Sequence, residues 1–477
     1  MTKQPNIVFL ITDQQRYDTI SALGYPHVDT PNLDRLVTEG VHFTRCYAAA
    51  PSCVPARASL FSGYYPHTTG VLNNAASWQK GWIEDLSAAG YDCVNVGKMH
   101  TQPMDAQAGF RARMIVENKD RSMAKRGRDF IDEWDKAIQK AGFEKPGLPT
   151  YSKLNDYADR LGAFDWPLPR DLHSDVFVAD LAIDWIEKSR LEAPFFLQVG
   201  FPGPHPPYDP TEEDVEPYLG RDLKIRPVSD GDLQSQPVAF QRLAAKHAAG
   251  DHDAVRHKID APEQERHRQR AYYLANVTMI DAQVGKIIDA LEKAGQLDDT
   301  IIVFTSDHGD SLGDHGHSQK WTMYEEVIKL PLIIWGPGAF DAKGPVDGLV
   351  QHMDVAPTLF ELAGITFPEG REALSFAKAL RGEPFEGREA IYCEQGLDVV
   401  FQFSKFVSMV RTSRWKYVHL LDEDFGQLFD LLEDPLEENN LWRDPDKIAI
   451  REEMHERLFN WRLESGYQTR DWAETAR

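Results

Sequence analysis

With 477 residues, 42% of them hydrophobic, the chain carries enough apolar mass for one large core with a smaller domain attached, or for two to three ordinary domains. A formal net charge of −23 argues against nucleic acid and anionic membrane surfaces as partners, since both demand clustered basic residues. The same charge disfavours a heavily sulfated polysaccharide unless a basic groove intervenes, and suits a small substrate with a neutral or cationic leaving group.

In chain order, Ile7-Val8-Phe9-Leu10-Ile11 is too short for a signal sequence or a membrane span and runs straight into Thr12-Asp13, so it reads as a buried strand and the protein as cytoplasmic. Thr30-Pro31 opens a helix with a threonine cap, and Pro55 fits the first position of a second helix, just after Cys53. Trp82 to Ala89 is helical, and Tyr91 to Val96, Phe195 to Val199, Thr300 to Thr305 and Leu330 to Trp335 are strands bounded by Pro, Gly or Asp. Charged, irregular insertions span roughly 111–170 and 208–264 and are expected to cover the edge or mouth of a sheet. Apolar residues at helical spacing from Leu274 to Leu291 mark a core helix. After Gly364 come strand-like segments at Phe406 to Val410, Trp415 to Leu420 and Phe425 to Leu431, then a helix from Ile448 to Leu463. The expectation is an α/β fold with a mainly parallel sheet over 1–385 and a small antiparallel sheet with a helix over 386–477.

The polar residues suited to chemistry follow the expected strands: Asp13 and Gln14, Lys98 and His100, His205, and Asp307 and His308. Carboxyl ends of parallel strands share one crevice, so a single pocket can hold them all. Asp13, Gln14, Asp307 and His308 offer carboxylate, amide and imidazole donors, a set for one divalent cation. Any one of them alone is more often a turn or cap residue than a ligand, and Lys320 reads equally as a solvated lysine. His315 and His317 read as loop structure rather than ligands. Cys46, Cys53, Cys93 and Cys393 have no CxxC spacing, which excludes a zinc knuckle or a disulfide scaffold.

Cys53-Val54-Pro55-Ala56-Arg57 resembles the CxPxR signature of type I, formylglycine-dependent sulfatases of the alkaline phosphatase superfamily. Gly97-Lys98-Met99-His100, Pro204-His205, Gln319-Lys320-Trp321 and Ser306-Asp307-His308-Gly309-Asp310 extend the resemblance, which with Asn73-Asn74-Ala75-Ala76 is nearest the choline-sulfatase and arylsulfatase members. The resemblance implies the alkaline-phosphatase-like fold and oxidation of Cys53 to formylglycine by a maturation enzyme. It also implies one cation, calcium or, given the imidazole of His308, manganese. It makes Cys53, Arg57, Lys98, His100, His205 and Lys320 the catalytic set acting on a small sulfate ester, in a chain that could form a homo-oligomer. Two other readings stand beside it. One is a phosphonate monoester or phosphodiester hydrolase of the same superfamily, with which His308 is compatible, although that group tends to carry uncharged residues where Lys98 and His100 stand. The other is a binding or scaffold protein with Cys53 unmodified.

Overall fold

The computed structural model describes residues 4–117, 119, 130–189 and 193–470; residues 118 and 120–129, within the first expected insertion, lie outside the described residues. The central strand β1 (Asn6–Asp13) is buried along nearly its whole length. Its side chains alternate between two cores: Ile7, Phe9 and Ile11 face one, Val8 and Leu10 the other. A strand apolar on both faces needs helices on both faces, and this sheet has them.

Eight strands form the main sheet: β1, β2 (Val41–Phe43), β3 (Asp92–Gly97), β4 (Ala112–Ile115), β5 (Phe195–Pro204), β6 (Thr300–Ser306), β7 (Leu332–Trp335) and β8 (Gly344–Val346). Their order is β8-β2-β7-β6-β1-β5-β3-β4. The five strands from β6 to β4 run parallel, and β7 pairs antiparallel with both its neighbours. Helix α1 (Pro31–Glu39) and the long helix α3 (Glu263–Lys293) cover the Val8 face, while α2 (Cys53–Ser62) packs Val54, Ala58, Leu60 and Phe61 into the Phe9 face.

A second, four-stranded antiparallel sheet joins β9 (Ile391–Gly396), β10 (Phe406–Arg411), β11 (Trp415–Leu420) and β12 (Gln427–Asp430) in sequential order. Helix α4 (Ile448–Gln468) closes against it through Met454, Leu458 and Trp461, with Tyr392 stacked on Trp461 at 4.0 Å. The sheet lies beside the start of α2: the Ser52 hydroxyl donates to Gln395 Oε1 (2.9 Å), and Glu394 N–H to the Ala49 carbonyl (2.9 Å). No helix among the described residues is long and apolar enough to cross a membrane.

Four expectations need correction. The Leu330 to Trp335 run is split at Pro331, which lacks a ladder donor; Lys329–Leu330 pairs instead with Cys46–Tyr47 in a small separate sheet. The first insertion is not irregular throughout, since β4 at its start extends the sheet edge. The second contains helices at Glu212–Leu219, Asp230–Gln234 and Val238–Ala249. Thr30 precedes α1, but its hydroxyl donates to Asp34 Oδ1 instead of capping a backbone N–H.

Candidate active site

Strands β6, β1, β5 and β3 are adjacent and parallel, and each ends in a residue of the expected set. Asp13 is the last residue of β1, Asp307 follows β6, Lys98 follows β3 and His205 follows β5. Lys98 reaches the crevice because two glycines let the chains cross. Gly97 has φ +88°, and a Cβ at Gly200 would collide with the Lys98 carbonyl oxygen.

Cys53 is itself the first residue of α2, so Pro55 stands at the third helical position and not the first. A proline is equally free of cost there, because the N–H groups of the first turn have no intrahelical acceptor. The Val54 N–H is taken by Asn74 Oδ1 (3.0 Å). All ten residues of α2 are buried, which fixes Cys53 and Arg57 on a rigid support with the positive end of the helix dipole at residue 53.

Around Cys53 Sγ stand His308 Nε2 at 3.0 Å, Lys320 Nζ at 3.0 Å and Asp13 Oδ1 at 3.7 Å. Arg57 Nε donates to Asp307 Oδ2 (2.8 Å) and Nη1 to the Lys98 carbonyl (3.0 Å), while Lys98 Nζ pairs closely with Asp13 Oδ2. Arg57 Nη2 lies 3.9 Å from Asp13 Oδ2 and is buried with no hydrogen-bond partner. Such an orphaned donor costs free energy unless a ligand completes it. Three cations, Arg57, Lys98 and Lys320, stand among the carboxylates of Asp13, Asp307 and Asp253, a grouping that suits an oxyanion inside a strongly acidic chain.

Each shift in proton affinity has a cause in this arrangement. Burial alone would raise the Asp13 carboxyl, but Lys98, His205, Lys320 and Arg57 together hold it well below the ordinary range. Asp307 is likewise lowered, burial and Asp13 being outweighed by His308, Arg57 and Lys98. Burial first, then the Lys320 charge, push His205 down to about 3, so its ring is neutral at physiological pH. Its Nδ1 faces the Pro206 carbonyl at 2.7 Å, an acceptor only, so the proton sits on Nδ1 and Nε2 carries the lone pair.

One ligand atom each from Asp13, Cys53, Asp307 and His308 lies within 4.8 Å of the other three, all fully buried. His308 Nδ1 faces the Gly309 carbonyl (2.8 Å), which turns Nε2 toward the group as in a metal-binding histidine; before a cation binds, burial is outweighed by Asp307 and Cys53, which raise its proton affinity. The Gln14 amide oxygen accepts from Lys320 Nζ (2.8 Å), the same ammonium that stands 3.0 Å from Cys53 Sγ. Two buried carboxylates, an outward imidazole nitrogen and an orphaned guanidinium nitrogen fit a divalent cation with an oxyanion beside it. A family model described as Sulfatase matches residues 5–365 of this chain, and another, described as N-sulphoglucosamine sulphohydrolase, C-terminal, matches residues 313–464. The chain belongs to the sulfatase family. An arylsulfatase of Clostridium perfringens is 30% identical over 455 residues, covering 92% of this chain and 90% of its own. A choline-sulfatase of Rhizobium meliloti is 30% identical over 487 residues, covering 97% and 88%. The crystal structure of a phosphonate monoester hydrolase of Agrobacterium radiobacter superposes with a TM-score of 0.82 at 25% identity, covering 97% of this chain and 96% of that one. This sulfatase is therefore a sulfuric ester hydrolase of the alkaline phosphatase superfamily.

The structure brings Asp13, Cys53, Arg57, Asp307, His308 and Lys320 together, with the Gln14 amide bonded to Lys320. His100 lies buried on the Lys98 loop with φ +60°, held by its N–H to Glu117 Oε1 (3.2 Å) and its carbonyl to Trp78 Nε1 (2.8 Å). His315 and His317 are loop structure: His315 bonds Asp232 and stacks on Tyr324, and His317 bonds Gln236. Residues that sequence reasoning did not pick also take part. Asp253 Oδ2, on the second insertion, lies 3.5 Å from His205 Nε2 and 3.1 Å from His252 Nε2. Asp310 accepts from the Gln14 amide and from the Tyr208 hydroxyl. Asp310 closes a motif already in view, whereas nothing around Asp253 signals its place.

Proposed function

We propose that this sulfatase cleaves small sulfate monoesters through residue 53, matured to formylglycine, beside one divalent cation. The arrangement that carries the reading is the convergence of Arg57, Lys98 and Lys320 on position 53, with an unpartnered guanidinium nitrogen left over. Oxidation and hydration of the Cys53 side chain would supply two hydroxyls on one carbon, one to attack the sulfuryl group and one to provide the way out. A cation held by Asp13, Gln14, Asp307 and His308 would supply Lewis-acid polarisation and ease proton loss from the attacking hydroxyl; the imidazole donor favours manganese over calcium.

The chain's own groups do the rest. Arg57 Nη2 and Lys98 balance the charge on the non-bridging sulfuryl oxygens, from positions fixed before substrate arrives. Lys320 protonates the departing oxygen, since His205 Nε2 has no proton to give; His205 accepts a hydrogen bond instead and orients the alcohol. His100 takes the proton of the second hydroxyl and frees sulfate. A plain cysteine or serine would lack that exit. A maturation enzyme, a cytoplasmic location and assembly into a homo-oligomer belong to the same proposal, tested by co-expression, cell fractionation and sedimentation.

A second reading has its own support in the likeness to the Agrobacterium phosphonate monoester hydrolase and in His308: hydrolysis of phosphonate monoesters or phosphodiesters by the same centre. Paired kcat/KM values on 4-nitrophenyl sulfate and 4-nitrophenyl phenylphosphonate separate the two. The sulfate is expected to be the better substrate, and a preference for the phosphonate overturns the first reading.

A further inference from the structure

Gln14 has a left-handed backbone, φ +68°, which for a residue with a long side chain persists only where the surroundings impose it. Here every polar group of the residue is engaged. Its N–H donates to Asp307 Oδ1 (3.0 Å) and its carbonyl accepts from the Tyr273 hydroxyl (2.7 Å). Its amide nitrogen donates to Asp310 Oδ2 (2.7 Å), and its amide oxygen accepts from Lys320 Nζ (2.8 Å).

The two ends of this amide cannot be exchanged. An ammonium has no lone pair and a carboxylate no proton, so the NH2 must face Asp310 and the oxygen must face Lys320. Asp310 is fully buried, with Oδ1 taking the Leu312 N–H (2.9 Å) and Oδ2 shared between Gln14 and the Tyr208 hydroxyl (2.7 Å). It stands outside the cluster of candidate metal ligands. From Tyr208 through Asp310, Gln14 and Lys320, a chain of hydrogen bonds ends 3.0 Å from Cys53 Sγ.

We propose that Asp310, supported by Tyr208, is a positioning residue: by dictating which end of the Gln14 amide faces inward, it seats Lys320 over position 53. The inference rests on the reading of Lys320 as the proton donor to the departing oxygen. An asparagine at 310 that answers the Leu312 N–H with its oxygen turns its NH2 toward Gln14. The Gln14 amide then flips, its own NH2 meets the Lys320 ammonium, and the lysine loses its seat. Exchanging the two groups, glutamate at 14 and asparagine at 310, keeps the total charge and restores an acceptor facing Lys320.

The test compares 4-nitrophenyl sulfate, whose phenolate departs without help, with an alkyl sulfate, whose alkoxide needs a proton. Lys320→Ala is the reference and should lose about 10²- to 10⁴-fold on the alkyl ester and far less on the aryl ester. Asp310→Asn, assayed at saturating divalent cation because the flip also withdraws the Gln14 oxygen from the cation, should show the same imbalance with aldehyde content at position 53 unchanged. Gln14→Glu/Asp310→Asn should restore the ratio of the two rates. Tyr208→Phe keeps the carboxylate and removes one hydrogen bond on it; it should shift the ratio in the same direction by roughly two- to tenfold, and it serves if Asp310→Asn does not fold. Equal losses on both esters in Asp310→Asn, or wild-type rates on both, overturn the inference while Lys320→Ala still shows the imbalance. Equal losses in Lys320→Ala itself overturn the proton-donor reading, and the inference falls with it.

Discussion

Replacing Arg57 by lysine keeps a positive charge in the pocket and removes the fork. The guanidinium uses Nε on Asp307 (2.8 Å) and Nη1 on the Lys98 carbonyl (3.0 Å), and holds Nη2 free for substrate. One ammonium cannot stand in three places, and a lysine that keeps the Asp307 pair gives up the substrate-facing donor. Losing one preorganised donor to developing charge costs about 10²- to 10³-fold in kcat, roughly 2.7–4 kcal/mol of transition-state stabilisation. Asp307 Oδ1 keeps its bonds from Gln14 N–H and His308 N–H, so the site should survive with its cation. Steady-state kinetics on 4-nitrophenyl sulfate, with elemental analysis of the same preparation, read the effect. Arg57→Lys within about threefold of wild-type kcat/KM, less than half of one tenfold step, would refute the role given to Nη2.

His100→Ala should cut steady-state turnover by about 10²- to 10⁴-fold while one equivalent of alcohol is still released quickly; loss of the fast phase as well would place His100 in the first step. Dialysis against a chelator should abolish activity, with manganese restoring more of it than calcium; full activity in metal-free protein contradicts the donor assignment. Buried His205, His257, His317 and His352 are pushed down to about 3, 4, 3 and 3, by burial above all. The unfolded chain takes up these protons near 6.5 and the folded chain refuses them, so their contribution is complete above that pH and is lost as pH falls from about 6.5 toward 3. His315 runs the other way: against burial, Asp232 and Glu326 raise it to about 10, and its contribution is lost as pH rises from 6.5 to 10. Unfolding followed between pH 4 and 7 should show His317→Gln less acid-sensitive than wild type by up to tenfold in folding constant per pH unit; an unchanged slope contradicts the assignment.

The main sheet was legible because β1 and β6 carry uninterrupted apolar runs and β5 one broken only by Gln198, each followed by polar residues, and a parallel sheet collects such ends at one edge. The strand ends alone imply that Asp13, Lys98, His205 and Asp307 share one edge. Pro331 misled the reading of β7 because its neighbours are apolar on both sides, and only the partner strands decide which sheet each half joins. Pro55 misplaced the start of α2 because a proline is tolerated anywhere in a first turn. Asp253 was invisible for another reason. It belongs to an insertion with no periodicity, and only the folded path brings it to within 3.5 Å of His205.

The most direct test of the account is the mass of the tryptic peptide covering 46–57, taken from protein produced in its native host. An aldehyde in place of the Cys53 thiol, in a preparation that hydrolyses sulfate esters, is the predicted result. Unmodified thiol throughout, in a preparation with full sulfatase activity, would contradict it.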